Sequence, residues 1–537
     1  MYKTLFFAAL LALGLGACKP TPRTAGRKHQ QQQEQKEQLP DVPQPEQPAE
    51  LLPPPAQPTP QQPSQQQPEQ AAISPESVLL TVMVTRQPYN KLTPWEKLPA
   101  TQRRMVGTYL GNGLVLTHGQ ALENTTYAEL SLPNATRTVP AKVLRYDEDL
   151  ALGLLTITHE SDADIFDTRR ATTPGAPLQR GEKAELLCTI NGTEPLSVPL
   201  RAQAGTVAGN GMPRMELQAE IAVPELFSYG APVIKDGKLA GLSAGYESTG
   251  RKLTIINAEI INRFLQQTED TPTGVPSIGV ELATLDDPVF RRYLKLREGQ
   301  TGIYISKVKP GSAAEAAQLR EGDVITAIEG MSIDNLGRCD LPIYGLTDSA
   351  VAVRYLKPLG QELNLTISRE GESKDVTVAL NTDARDKALL ATEKTEAAPR
   401  YIVWGGLVFQ PLTETYRRTL KTQARGTLPV EFLELDDREE ELRGRGYREL
   451  TAITLVIPTP TTLGYDTLGF CVVEKVNGRE PHDFAEFAAM LDEPTPDGTV
   501  ELTINKAPYR IYLDRSSAEA TNDALRRGPI NSLRRME

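Results

Sequence analysis

Apolar and polar positions divide this 537-residue chain into three regimes. The first is an apolar run from Leu5 to Ala17, preceded by Lys3. The second, residues 19–75, is nearly devoid of apolar positions and contains QQQEQKEQLP and PQPEQPAELLPPPAQPTPQQPSQQQPEQ. The third starts at Ser77 and alternates short apolar stretches with turn residues. Its spacing, about ten residues between turns, predicts an all-β barrel or sandwich. SVLLTVMV, GTYLGNGLVLTH, YAELSL, TVPAKVLRYD, DLALGLLTI and AELLCTI are its first predicted strands. Farther on, Gly302–Val308 alternates as a strand, Pro310-Gly311 turns the chain, and Ser312 is placed to cap a short helix. Gly322-Asp323 re-enters a strand, and Gly330 closes a hairpin-like turn. Residues 382–399 are polar and read as a linker. Beyond them, Val472–Val476, Asn477-Gly478 and the residues that follow predict strand, turn and strand. Phe484 to Leu491 then has the spacing of an amphipathic helix.

Composition narrows the function classes. The 42 prolines and 40 glycines argue against a helical bundle. A net charge of −11 gives no support to a nucleic-acid footprint. After the N-terminus no apolar run approaches the roughly 20 residues needed to span a bilayer. Residues 1–18 read as a secretory signal. Residues 19–75 cannot bury enough apolar surface to offset their ordering entropy, so they are expected to be a disordered tether. At about 3.1 Å per residue its extended reach is on the order of 170 Å. Cys188, Cys339 and Cys471 are odd in number and widely scattered, which predicts buried free thiols and neither disulfide framework nor zinc site. No cofactor or metal is expected.

The ending Leu15-Gly16-Ala17-Cys18 resembles the lipobox of bacterial lipoproteins. That resemblance implies cleavage before Cys18 and acylation of its thiol and new amine, hence firm membrane anchoring. Lys19 after the cysteine favours the outer membrane, facing the periplasm.

Three further pieces resemble HtrA/Deg serine proteases, in family order, within residues 77–270. Gly111-Asn112-Gly113-Leu114-Val115-Leu116-Thr117-His118-Gly119-Gln120-Ala121 is similar to the segment carrying the catalytic histidine. Asp149-Leu150-Ala151-Leu152 is similar to the aspartate motif. Ser228-Tyr229-Gly230-Ala231-Pro232-Val233 is similar to the nucleophile motif. Aligned without gaps, Gln120 occupies the base position, Asp149 the orienting aspartate and Tyr229 the nucleophile. Phe227 replaces a glycine two residues before Tyr229. A glutamine amide cannot accept and return a proton near neutral pH, and a phenol titrates near 10. The resemblance therefore implies a trypsin-like double barrel without an intact triad. His118 and Ser228 are alternative candidates for a displaced base and nucleophile. Otherwise His118 is expected as a surface or cap residue, and Asp149 as the residue that holds its loop.

Residues 274–381 resemble an HtrA-type PDZ domain, in the run Lys309-Pro310-Gly311-Ser312-Ala313-Ala314 through Arg320-Glu321-Gly322-Asp323-Val324-Ile325 to Gly330. Ser277-Ile278-Gly279-Val280-Glu281 is similar to the carboxylate-binding loop and its strand, with Ile278 and Val280 expected to line the pocket. There a peptide adds as a strand to the sheet edge. Asp286–Leu294 is similar to an insertion of two-PDZ Deg proteases. Residues 400–525 resemble the second, divergent PDZ domain of those proteins, beginning at Trp404-Gly405-Gly406-Leu407-Val408-Phe409. Whether it captures ligand or docks subunits stays open. The expected fold class is mainly β: a double barrel followed by two PDZ domains. The expected function is a lipid-anchored, catalytically silent protein that binds peptides or proteins in the cell envelope, as an adaptor or chaperone-like factor in quality control. C-terminal carboxylates are the expected handles. The alternatives are an active endopeptidase with a rearranged site and a scaffold assembling homo-oligomers such as trimers.

Overall fold

A computed structural model describes residues 74–537 except 191–193, 210, 222–228, 269, 273, 382–388, 392–396, 424–427 and 529. The signal segment with Cys18, all but the last two tether residues, Phe227 and Ser228 lie outside the described residues.

A short helix, α1 (Pro75–Val78), leads into the first barrel. Its strands are β1 (Leu79–Arg86), β2 (Thr101–Gly111), β3 (Leu114–His118), β4 (Thr125–Ser131), β5 (Thr138–Asp147) and β6 (Leu152–Ile157). They close in the order β1-β2-β3-β6-β5-β4. The second barrel comprises β7 (Lys183–Ile190), β8 (Glu194–Val207), β9 (Pro213–Ala219), β10 (Pro232–Lys235), β11 (Lys238–Glu247) and β12 (Lys252–Asn257). It closes in the equivalent order, β10-β11-β12-β9-β8-β7. The inward residues of both barrels are aliphatic, among them Val82, Val115, Leu130, Leu186, Leu217 and Leu242. Each such side chain contributes about 1.5–3 kcal/mol by leaving water. Helix α2 (Ala258–Gln266) packs on the second barrel through Ile260, Ile261 and Phe264.

The first PDZ domain is a sheet of β13 (Val280–Ala283), β14 (Ile303–Val308), β15 (Val324–Ile328), β16 (Met331–Ser332), β19 (Glu362–Arg369) and β20 (Glu372–Ala379). Beside it lie the hairpin of β17 (Arg338–Leu341) and β18 (Gly345–Asp348) and the helices α3 (Pro288–Tyr293), α4 (Ala313–Ala316) and α5 (Ser349–Leu356). Helix α3 is the body of the Asp286–Leu294 insertion, capped by Asp287. Ser312 caps α4, its Oγ accepting from the Glu315 amide at 3.1 Å. Asp323, 1% exposed, accepts from both Nε and Nη2 of Arg369 at 2.7 Å. That bidentate pair explains the aspartate of the Gly-Asp motif, since a buried carboxylate needs a partner of matching geometry.

The second PDZ domain contains β21 (Tyr401–Trp404), β22 (Leu407–Pro411), β23 (Thr451–Val456), β24 (Cys471–Val476), β25 (Thr499–Ile504), β26 (Arg510–Asp514) and β27 (Arg534–Arg535). Helices α6 (Glu414–Gln423) and α7 (Val430–Gly444) lie between β22 and β23, and α8 (Phe484–Asp492) and α9 (Arg515–Arg526) follow. The sheet order is β26-β25-β24-β23-β22-β21-β27. After Asn477-Gly478 the expected second strand reduces to one bridge, Val476 with Arg479, because the chain turns at once toward α8. Within the expected linker, Leu389 is buried against Leu412, Tyr416 and Phe432. Cys188, Cys339 and Cys471 are buried thiols outside any disulfide among the described residues. Burial pushes the Cys188 thiol up to about 11.

The domains pack closely. A Cβ on Gly205 of β8 would lie 2.1 Å from the Tyr344 carbonyl oxygen, so this approach of barrel and first PDZ domain requires glycine. The Glu259 carboxylate of α2 accepts from the Tyr344 and Tyr355 hydroxyls at the same seam. Burial, its largest influence, raises the Glu259 pKa. The folded state therefore favours the protonated acid, and stability falls as pH rises above the ordinary carboxylate range. Glu259→Gln is expected to raise the thermal midpoint at pH 8 more than at pH 4. Equal shifts at both pH values would contradict a buried charge at this seam.

The β1–β2 loop reaches the second PDZ domain. Trp95 meets the Tyr401 ring edge-on at 6.1 Å, and Gln410 Nε2 donates to the Lys91 carbonyl at 3.1 Å. The Arg535 guanidinium lies over Tyr401 and Tyr89 at 5.3 and 5.2 Å.

Candidate functional site: the interbarrel cleft and the PDZ edges

The two barrels enclose a cleft of about 640 Å³. The first barrel supplies His118, Gln120, Glu123, Glu148, Asp149 and Ala151. The second supplies Thr206 to Gly209, Arg214, Ala244 and Thr254, with Val275 and Arg418 at the margins. Arg418 comes from α6, so the second PDZ domain overhangs the cleft.

Gln120 sits exposed on the 3-10 turn Gly119–Ala121, immediately after β3. Asp149 lies on the β5–β6 connection. The expected alignment thus brings Gln120 and Asp149 to one cleft. Buried Asp147 holds the β5–β6 loop through its side chain. Its Oδ1 accepts from the Asp149 and Leu150 amides at 2.9 Å each, and its Oδ2 from Gln267 Nε2 at 2.8 Å. An aspartate two residues before the amides it caps has the ordinary Asx-turn geometry.

His118 is not a surface residue; it stands at the N-cap position of the Gly119–Ala121 turn, without a side-chain cap hydrogen bond. It ends β3 at 5% exposure, because its strand position faces the seam of the barrels. Burial, with a smaller contribution from the nearby Arg214 charge, lowers its pKa to about 4. The Tyr229 ring, 47% exposed, lies 5.2 Å from the His118 ring at 51°. The turn after Tyr229 is pinned on both sides. The Tyr229 carbonyl accepts from the Val106 amide at 3.2 Å, the Gly230 amide donates to the Ser243 carbonyl at 3.1 Å, and the Ala231 amide donates to Ser243 Oγ at 2.8 Å. Ser228, the alternative nucleophile, lies outside the described residues.

Arg214 was not anticipated from the sequence. It is 4% exposed on β9, with Nη1 donating to the Pro213 carbonyl at 3.2 Å and Nη2 to the Leu150 carbonyl at 3.4 Å. Burial pushes its guanidinium down to about 10. An arginine within an alternating strand reads as outward-facing, and no local signal in the sequence distinguishes it.

In the first PDZ domain Ser277, Ile278, Gly279, Val280 and Glu281 form one loop and strand start. Gly279 has φ +76, and its amide donates to Ser277 Oγ at 3.1 Å. The Ile278 and Gly279 carbonyls accept from the Ala314 and Lys309 amides at 2.8 and 3.0 Å. Val280 is half-buried and Glu281 exposed, whereas Ile278, at 7% exposure, belongs to the domain core. Strand β13 pairs with β14 and is the edge of its sheet. The second PDZ domain differs. Its β22 pairs with β23 on one side and with β21 on the other, in the register Ile402 to Phe409, Val403 to Val408 and Trp404 to Leu407. The chain itself occupies that edge.

Residues 267–341 and 390–534 each match a PDZ domain family. Protease Do-like 2, chloroplastic, of Arabidopsis thaliana is 25% identical over 421 residues, covering 74% of this chain and 65% of that protein. Putative protease Do-like 3, mitochondrial, of the same plant is 24% identical over 464 residues, covering 82% and 76%. Serine protease Do-like HtrA of Lactobacillus helveticus is 23% identical over 286 residues, covering 50% and 65%. Among solved structures, HtrA-type protease AlgW with decapeptide aligns at 16% identity and a TM-score of 0.41, covering 57% of this chain and 95% of that one. Two closed barrels, two PDZ-domain matches and this run of Do-like relatives make the chain similar to the HtrA/Deg proteases.

Proposed function

We propose that this chain is a catalytically silent HtrA/Deg protein that grips polypeptides through the open edge of its first PDZ domain, in a chaperone-like or adaptor role. The observation that carries the reading is the content of the cleft. Gln120, whose amide cannot shuttle a proton, stands at the turn where a base is required. The histidine that does reach the cleft has a pKa near 4 and packs against Tyr229. A base that weak contributes little to activating a hydroxyl at neutral pH. The lipobox-like Cys18 and the Pro/Gln-rich tether support a further part of the same reading, a body held off an envelope membrane, with the outer membrane favoured by Lys19.

The expected result for the full chain with unfolded casein and a fluorophosphonate probe is neither cleavage nor labelling. Labelling abolished by Ser228→Ala would establish the rearranged-site endopeptidase instead. That second reading has one observation in its favour, the presence of His118 in the cleft. Mass spectrometry of the envelope-expressed chain is expected to find acyl groups on Cys18. An intact or unacylated N-terminus would remove the anchoring part of the proposal.

A further inference from the structure

The cleft contains a buried cation without a carboxylate partner among the described residues. A guanidinium has five N–H donors. That of Arg214 meets two backbone carbonyls, at 3.2 and 3.4 Å, and no ion pair among the described residues includes it. Taking such a charge out of water costs several kcal/mol unless an anion or dipoles offset it. A core strand position is more simply filled by an apolar side chain, as at Met215 and Leu217 on the same strand. Arg214 instead lines the cavity, beside an imidazole that stays neutral down to about pH 4.

The acidic residues of the cleft do not neutralise it. Glu123 pairs with Arg86 at 3.3 Å. The charge of Asp149 acts on Arg263, and Glu148 is exposed at the rim. These rim carboxylates oppose entry of a second negative charge, so a phosphate or an acidic run fits poorly. One carboxylate set among uncharged residues fits.

We propose that Arg214 anchors a subsite for a single carboxylate carried by a polypeptide lying in the interbarrel cleft. This rests on the reading of the cleft as a site that holds polypeptide without cutting it. The carboxylate is either an Asp or Glu side chain or a chain terminus; both present the planar fork that a guanidinium matches.

The test uses the full chain and three fluorescein-labelled fifteen-residue peptides of otherwise uncharged sequence, read by anisotropy. One has a central Asp and an amidated end, one lacks Asp and has a free apolar end, and one lacks Asp and is amidated. The Asp peptide is expected to bind wild type at least tenfold tighter than the amidated control, with that excess lost in Arg214→Gln. If the excess of the free-ended peptide is what Arg214→Gln removes, the terminus is the source and the subsite stands. If Arg214→Gln removes neither excess, the subsite is refuted. Free-end binding that survives Arg214→Gln but disappears in Gly279→Glu leaves the PDZ reading intact. Should Arg214→Gln fail to fold, replacing Asp by Asn in the peptide decides the matter on wild type. Equal affinities for the Asp, Asn and free-ended peptides would then overturn the proposal.

Discussion

Acidification from pH 8 to pH 4 is expected to remove about 3 kcal/mol of stability through His118 alone. The imidazole has a pKa near 4 in the folded state against an ordinary value of 6.5, because it is buried between the barrels and faces the Arg214 charge. The unfolded chain therefore binds the proton more readily. Its contribution is fully present above about pH 6.5, declines at up to about 1.4 kcal/mol per pH unit, and is gone below about pH 4. Urea unfolding of wild type and His118→Asn across this range isolates the effect, since Asn carries no titratable group. The two stability curves should converge by about 3 kcal/mol toward acid pH. Parallel curves would mean that His118 is solvated, and the case for a base too weak to serve the cleft would lapse with it.

Gly279→Glu is expected to weaken binding of peptides with a free apolar C-terminus by more than about a hundredfold, on the order of 3 kcal/mol. Two effects combine. A Cβ at this position would lie 2.4 Å from Ser312 Cβ, at a backbone φ of +76 that non-glycine residues seldom adopt. The new carboxylate would also occupy the loop meant to receive the peptide's own. Far-ultraviolet circular dichroism should keep the wild-type shape, because Ile305, Leu363 and Ile367 still form the core, while the thermal midpoint falls as the strained φ and the approach to Ser312 are relieved locally. Undiminished affinity in isothermal titration would remove the first PDZ edge as the peptide site.

The parts of the molecule legible in the sequence are those with local periodicity. The barrel strands alternate because one face packs inward, and the Pro310–Gly330 run encodes turn, cap and strand within about twenty residues. Gln120 and Asp149 reached the cleft because each follows a strand whose position was itself readable. The misreadings have a common origin in contacts between distant segments. Asp147 and Asp149 are two carboxylates two residues apart, and their sequence does not say which one receives the loop amides. His118 was misread because inwardness at a strand end depends on the other barrel. Arg214 touches Leu150, 64 positions away, and only that meeting makes it a cleft residue. Likewise β27 pairs with β21 across more than a hundred residues, which no periodicity announces.

The strand β21 seated along β22 has a consequence for avidity. On the proposed reading, with the β22 edge covered by the chain itself and the β13 edge open, each molecule offers one such PDZ edge to a strand-adding peptide. A client bearing two such segments then needs two molecules to hold it. Its residence time should rise steeply with the surface density of copies, while a bivalent peptide should gain nothing over a monovalent one when the protein is dilute.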